Sequence, residues 1–336
     1  MMKAVRIKST GGPETLSFES LPDPKPDRGE ALVRMEYCAV NHLDIWVRLG
    51  NVPVALPRIL GSEGVGVIED LGPETSWEGG SAVVVTPWVY PDDNRHQPLN
   101  AYAGVLGVAR NGCYAQKAAV PVSCLRPLPR GLEKEQAAGL TLTAATAYHM
   151  AITLAGVKPG ERVFIAGATG GVGLAAIQIC RAAGATVYAA SRNREKRRRL
   201  KEWGAHETFD TSGAYDKDVR NATDGLGVDV VLETVGKSTW EKSVSILKPG
   251  GRLAFCGSTS GPEVTMNLQR IYRNEISLLG SYGATPAETD AVLRLAEEGT
   301  LQGSVDRILP LEEAAEAHRL MEAAGHFGKI LLSIPE

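Results

Sequence analysis

Residues 161–173, ERVFIAGATGGVG, decide the fold, and the chain continues from them as LAAIQIC to Cys180. An apolar run ends in glycines at 167, 170 and 173, and a helical pattern begins at once. In a strand–loop–helix setting, glycines so spaced permit a tight turn, close approach of backbone to a pyrophosphate, and close packing of helix on strand. The helix N-terminus adds free N–H groups and the positive end of its dipole. A plain structural turn leaves the three-residue spacing unexplained, so we read a dinucleotide-binding loop.

The next strand, ATVYAAS, ends at Ser191 and is followed by Arg192. This is where the adenosine ribose is read. A carboxylate there would accept the free 2′-hydroxyl of NAD and repel a 2′-phosphate. Serine and arginine do the reverse, because phosphate takes hydroxyl donors and guanidinium charge. The expected cofactor is therefore NADPH. Arg194, Lys196, Arg197, Arg198 and Arg199 enlarge the positive field. Arg197 to Arg199 also fit a solvated helix face paired with Glu195 and Glu202 at helical spacing. A one-turn basic cluster on a net-acidic chain argues against nucleic acid.

Farther out, residues from about 130 to 260 alternate strands and helices, as in βαβ units with a parallel sheet. KEQAAGLTLTAATAYHMAITLAG reads as a helical run, and GVDVVLETVG and GRLAFCGS as strands. The first 125 residues are β-rich, and residues 261–336 mix helix with a final strand, KILLSI. The fold class is α/β.

The 336 residues carry 36 Lys+Arg against 39 Asp+Glu, a formal charge of −3, with 43% hydrophobic residues. This is ordinary globular composition, with no global reason to expect nucleic acid or an anionic membrane as partner. Cys38, Cys113, Cys124, Cys180 and Cys256 are scattered and contain no C-x-x-C. That argues against a disulfide framework and against a Cys-rich zinc cluster, and favours a reducing cytoplasm. The N-terminus lacks the apolar core of a signal peptide, and glycines interrupt the longest apolar run, so no membrane segment is expected.

Six segments together resemble the medium-chain dehydrogenase/reductase family, in its zinc-free quinone oxidoreductase branch: residues 38–50 (CAVNHLDIWVRLG), 56–72 (LPRILGSEGVGVIEDLG), 142–150 (LTAATAYHM), 163–180, 227–236 and 327–332 (FGKILL). The resemblance implies a GroES-like catalytic β-domain over 1–125, completed by 263–336. A Rossmann NADP-binding domain, a doubly wound parallel sheet over 126–262, would be inserted between them. It also implies a homodimer or homotetramer with Rossmann sheets joined edge to edge.

The departures bear on the chemistry. Asn41, Ser62 and Leu142 stand where the zinc alcohol dehydrogenases carry ligands, and thiolate and imidazole are what catalytic zinc needs. The lobe over 87–113, cysteine-rich in that branch, keeps only Cys113. His42 and Asp44 lack a nearby third ligand, so no metal is expected.

Without a Lewis acid, the implied substrate is already electrophilic: a quinone, or an enone whose C=C is conjugated to a carbonyl. The resemblance places Asn41 beside the nicotinamide and ribose, Trp46 where tyrosine is frequent, and Ser62 within reach of the substrate oxygen. It gives Thr146, Gly167, Thr169, Gly170, Gly171, Val172, Gly173, Ser191, Arg192 and Lys196 to the cofactor. Phe255, Gly257, Ser258, Phe327 and Lys329 would close the nicotinamide end. Gly61, Gly64 and Gly66 would shape a turn of the catalytic domain.

An enoyl-thioester reductase is the alternative, with Arg58, Arg95 and Arg110 as candidates for an acyl-CoA phosphate rim. A cofactor-binding structural or interaction protein with little turnover is the alternative of another class. Tyr90 and Tyr102 are candidates to border the substrate. His96, His149, His206, His318 and His326 read as packed or exposed, and Cys38 as a buried structural thiol.

Overall fold

The computed structural model describes residues 1–91 and 104–335. His96, Tyr102 and Arg95 lie outside the described residues. The chain forms two units, Met1–Leu142 with Ala284–Glu336, and Thr143–Gly283. Both boundaries fall later than the expected 125/126 and 262/263. The first moves because Leu125–Pro127 pairs antiparallel with Ala82–Val85, and because Ala138 packs with Ala39, Val65 and Leu331 of the first unit. The second moves because Ser277–Gly280 is added parallel to Leu247–Phe255 in the sheet of the second unit.

In the first unit, the main sheet runs in the order Leu125–Pro127, Ala82–Val85, Gly64–Leu71, Glu30–Ala39, Lys329–Ser333, Val305–Pro310. Lys117–Pro121 pairs with the far part of Glu30–Ala39. The C-terminal return is built in by register: Leu331 faces Ala39, Leu332 faces Cys38 and Ser333 faces Tyr37. Ile7, Val33, Met35, Leu60, Ile68, Leu125, Ile330 and Leu332 form one buried core that joins both chain segments. Arg126 and Asp290, 2.6 Å apart, tie them again.

Gly64 and Gly66 are not turn residues. They lie in the strand Gly64–Leu71, where a Cβ would come within 2.5 Å of the Tyr37 carbonyl and 2.2 Å of the Arg34 carbonyl. They are small because the neighbouring strand approaches closely. Gly61 does turn, with φ of +92°.

The second unit is a parallel sheet in the order Glu207–Phe209, Thr186–Ala190, Arg162–Ala166, Val228–Glu233, Leu247–Phe255, Ser277–Gly280. The strand order reverses beside Arg162–Ala166, which is the doubly wound Rossmann pattern. The strands are apolar on both faces, as a covered parallel sheet requires; Val228–Glu233 is buried at every position. Phe164 stacks on Tyr215 with ring centroids 5.7 Å apart. The fold is thus the expected one, a GroES-like β-domain with a Rossmann sheet.

The long helical run is broken into Lys134–Ala138, Thr141–Tyr148 and a π-helical turn His149–Leu154. At the first break, a Cβ on Gly139 would lie 3.1 Å from Lys329 Cε. Glycine there lets the chain pass close to that buried lysine.

Candidate functional site

In the second unit, Arg162–Ala166 leads into the glycine loop, and helix Gly171–Ala182 starts from Gly170 as N-cap. Leu174 N is the first to donate to a helix carbonyl, that of Gly170. The N–H groups of Gly171, Val172 and Gly173 therefore precede the first intrahelical acceptor, an arrangement that suits a phosphate. The glycines divide by role. A Cβ on Gly173 would sit 2.5 Å from Ala168 Cα, and one on Gly167 2.3 Å from Thr234 Oγ1. A Cβ on Gly170 would meet only open space, with the Gly167 carbonyl 3.9 Å away. The cradle fits a dinucleotide pyrophosphate.

After Thr186–Ala190, the Ser191 hydroxyl accepts from Asn193 N at 3.3 Å. Asn193 Oδ1 caps the next helix by accepting from Lys196 N. Arg198 pairs with Glu195 and Glu202 on the helix surface, as spacing implies. Arg197 departs from that reading. It is half-buried and donates to the Ser191 carbonyl at 2.7 Å while pairing with Asp210 at 3.0 Å. Its work is to hold the turn. Arg192 is exposed, and its guanidinium has no partner among the described residues.

Thr146 is buried on Thr141–Tyr148, and Thr169 is half-buried in the loop. The half-buried Phe255 ring packs edge-on against Trp240, with centroids 5.2 Å apart. Gly257 and Ser258 lie just past the strand end.

In the first unit, helix His42–Leu49 starts at Asn41, and Asp44 completes the cap by accepting from Asn41 N at 2.8 Å. Asp44 also accepts from Gly61 N at 2.9 Å and from the Tyr114 hydroxyl at 3.1 Å. One buried carboxylate thus fixes both the Asn41 corner and the Gly61–Ser62 turn. Burial pushes its pKa up to about 6 against the opposing pull of these hydrogen bonds. Gly61 must be glycine, since a Cβ would lie 2.4 Å from the Tyr114 ring. The single Tyr114 proton goes to Asp44, so His318 Nε2, 3.3 Å away, donates to the tyrosine oxygen. His318 Nδ1 is buried without a partner.

A second network fixes the Asn41 side chain. Lys329 Nζ donates to Asn41 Oδ1 at 2.6 Å, to the Val40 carbonyl at 3.0 Å and to Glu63 Oε1 at 3.1 Å. Asn41 Nδ2 donates to Glu63 Oε1 at 3.1 Å. The other Glu63 oxygen accepts from Thr141 Oγ1 at 2.9 Å and from Leu142 N at 2.7 Å. Lys329, expected at the nicotinamide end, has all three of its N–H donors engaged inside the first unit. It is a positioning residue for Asn41. Phe327 is also buried, and its N–H donates to Asp306. Glu63 and Thr141 were not read as site residues, although an acid inside the apolar, glycine-rich run 60–68 was a signal for the first.

Ser62 is fully buried, and its hydroxyl has no hydrogen-bond partner. Trp46 is half-buried and tilted against His42, with centroids 6.2 Å apart. The Tyr90 hydroxyl donates to the Ala284 carbonyl at 2.8 Å and holds the C-terminal return. Arg58 and Arg110 line one cavity of the first unit. Burial raises all five thiols, those of Cys124, Cys180 and Cys256 to about 12, so no reactive thiolate is present.

Zinc does not fit these residues. Among the described residues no group of three or more His, Cys, Asp and Glu is arranged to hold a metal ion. The Asn41 amide is engaged with Lys329 and Glu63, Ser62 offers only a hydroxyl, and Leu142 offers no side-chain donor.

Residues 27–130 match the family model for an alcohol dehydrogenase GroES-like domain, and residues 171–298 that for a zinc-binding dehydrogenase. A quinone oxidoreductase of Pseudomonas aeruginosa is 33% identical, with 99% of each chain covered. A mycocerosic acid synthase-like polyketide synthase of Mycobacterium tuberculosis is 32% identical over 98% of this chain, which spans only 15% of that protein. A solved NAD-dependent alcohol dehydrogenase superposes with a TM-score of 0.94 at 37% identity, covering 99% of this chain and 100% of the other. The chain belongs to the medium-chain dehydrogenase/reductase superfamily, in its quinone oxidoreductase-like branch, and is a nicotinamide-dependent oxidoreductase.

Proposed function

We propose that this chain is an NADPH-dependent, zinc-independent reductase of quinones or of C=C bonds conjugated to a carbonyl. The observation that carries this reading is the Ser62 hydroxyl, buried and unpartnered where zinc-using relatives place a ligand. A buried donor without an acceptor is costly unless a ligand supplies one. NADPH, when bound, supplies the hydride. The Ser62 hydroxyl donates to the substrate oxygen and stabilises the oxyanion that forms as hydride arrives. Asn41, immobilised by Lys329 and Glu63, sets the position of the substrate and ribose, and Trp46 offers a flat apolar wall. The final proton comes from solvent.

For the cofactor, Ser191 and the uncommitted Arg192 take the 2′-phosphate, and no carboxylate ends that strand. Replacing Ser191→Asp together with Arg192→Ile is expected to move preference from NADPH to NADH in fluorescence titrations. Equal affinity of the unmodified protein for both nucleotides would count against this assignment.

An enoyl-thioester reductase is the second reading, favoured by the shared cavity of Arg58 and Arg110. A screen of NADPH oxidation over quinones, enones and short enoyl-CoA esters separates the two. Turnover of the thioester alone would overturn the quinone and enone reading. Binding of NADPH without any turnover would leave a cofactor-binding protein.

The edge strand Ser277–Gly280 ends the second unit's sheet, with Leu268, Tyr272 and Tyr282 exposed nearby in the sequence. We assign this edge to a homodimer contact, to be checked by light scattering. All five cysteines are free, which fits a reducing cytoplasm.

A further inference from the structure

The first unit holds a cavity of about 380 Å³ whose lining shares no residue with the Asn41–Ser62 site. That volume is in the range of small-molecule sites. Its cations fall into two classes. Arg110 is paired with Glu30, and Lys117 lies 3.1 Å from Asp23 and 2.5 Å from Glu69. Those two charges are compensated.

Arg58 is different. It is half-buried, its Nε is buried without an acceptor, and no carboxylate of the described residues pairs with it. Burial alone lowers its pKa from the usual arginine value. Lys25, on the same wall, likewise has no ion-pair partner among the described residues. Asn111 accepts from Ile59 N at 3.1 Å through Oδ1, and its Nδ2 hydrogens have no partner there. The half-buried Arg58 and the exposed Lys25 and Asn111 therefore line one cavity, and none of the three has a carboxylate partner among the described residues. The opposing group is the unpaired carboxylate of Asp27.

The buried Nε of Arg58 has no acceptor, and its planar guanidinium, without a carboxylate partner among the described residues, matches phosphate bidentately. We infer that this cavity binds the phosphate group of a small molecule, held by Arg58, Lys25 and Asn111. Asp27 sets a limit on the ligand. It repels a fully ionised dianion and accepts an O–H, so it favours the monoanion or an ester with a neighbouring hydroxyl. The assignment holds whether the acceptor reduced is a quinone or an enone.

The test is calorimetric titration of the NADPH-saturated enzyme, so that the cofactor's own phosphate sites are filled. Inorganic phosphate and adenosine 3′,5′-bisphosphate are the two probes. Arg58→Gln is expected to weaken whichever probe binds by about tenfold, the loss of one bidentate charged contact. Lys25→Gln should weaken it less, and Asp27→Asn should tighten it. NADPH affinity and the melting temperature should stay as in the unmodified protein, which shows that the variants are folded. Tighter binding of the bisphosphate identifies a phosphate ester as the ligand, and equal binding identifies free phosphate. Binding of neither probe, or affinity unchanged in Arg58→Gln, overturns the assignment.

Discussion

Glu63 has no exposed surface, yet it accepts from Asn41, Lys329, Thr141 and Leu142 N. A buried pair of this kind is most sensitive to losing one member, because the other charge is then left uncompensated. Lys329→Met should destabilise the protein by about 3–5 kcal/mol. The double variant Glu63→Gln with Lys329→Met should cost less than the two single changes added together. Urea unfolding of the three variants measures this coupling.

His318 and Asp44 make opposite contributions to acid stability. Burial lowers the His318 pKa to about 3 from 6.5. The unfolded chain takes up a proton below 6.5 that the folded chain refuses, so this contribution is complete above 6.5 and declines as pH falls. Burial raises Asp44 to about 6 from 3.8. The folded chain keeps that proton longer, so this contribution is complete below 3.8 and is lost as pH rises through 6. Between pH 4 and 6 the two slopes offset one another. His318→Phe removes one of them, and its urea midpoint should rise as pH falls from 6 to 4; a midpoint that falls instead would contradict the assignment.

At the scale of elements, the glycine loop separates folding from binding. A Cβ on Gly173 would lie 2.5 Å from Ala168 Cα, whereas one on Gly170 would open onto empty space. Gly173→Ala should lower the melting temperature by several degrees. Gly170→Ala should leave melting unchanged and weaken NADPH binding by tenfold or more, because the added methyl occupies the phosphate's place. Melting curves and fluorescence titrations distinguish the two.

This loop was legible in the sequence because its logic is local: strand, glycines and helix follow one another within twenty residues or so. The Asn41–Glu63–Lys329 network was not, because its members come from three distant segments and their charges are hidden in apolar runs. The hold of Lys329 on Asn41 is hidden from the sequence for that reason. Gly64 and Gly66 looked like turn residues because glycine marks close backbone approach as readily as it marks a turn. Arg197 likewise reads as a surface residue from its spacing, and only the fold brings Asp210 to it.

For the whole molecule, the second unit has its own sheet and its own core around Phe164, Tyr188, Phe209, Tyr215 and Trp240. A fragment spanning 143–283 is expected to fold alone and to bind NADPH, as circular dichroism and calorimetry of that fragment would show. A fragment spanning 1–142 should not reach its native state. It lacks Lys329–Ser333, the strand that lies between Glu30–Ala39 and Val305–Pro310, and it also lacks the lysine that neutralises Glu63.

The pairing of Leu331 with Ala39 and of Leu332 with Cys38 also has a temporal meaning. A ribosome delivers the strand Glu30–Ala39 early, and it delivers that strand's neighbour only after every residue of 143–283 has emerged. Domains fold as units during synthesis, and an unpaired strand edge is a template for wrong partners. The order of completion is therefore the reverse of the order of beginning. The nucleotide-binding unit closes first, and the unit begun at the N-terminus waits with an open edge for the last strand to arrive.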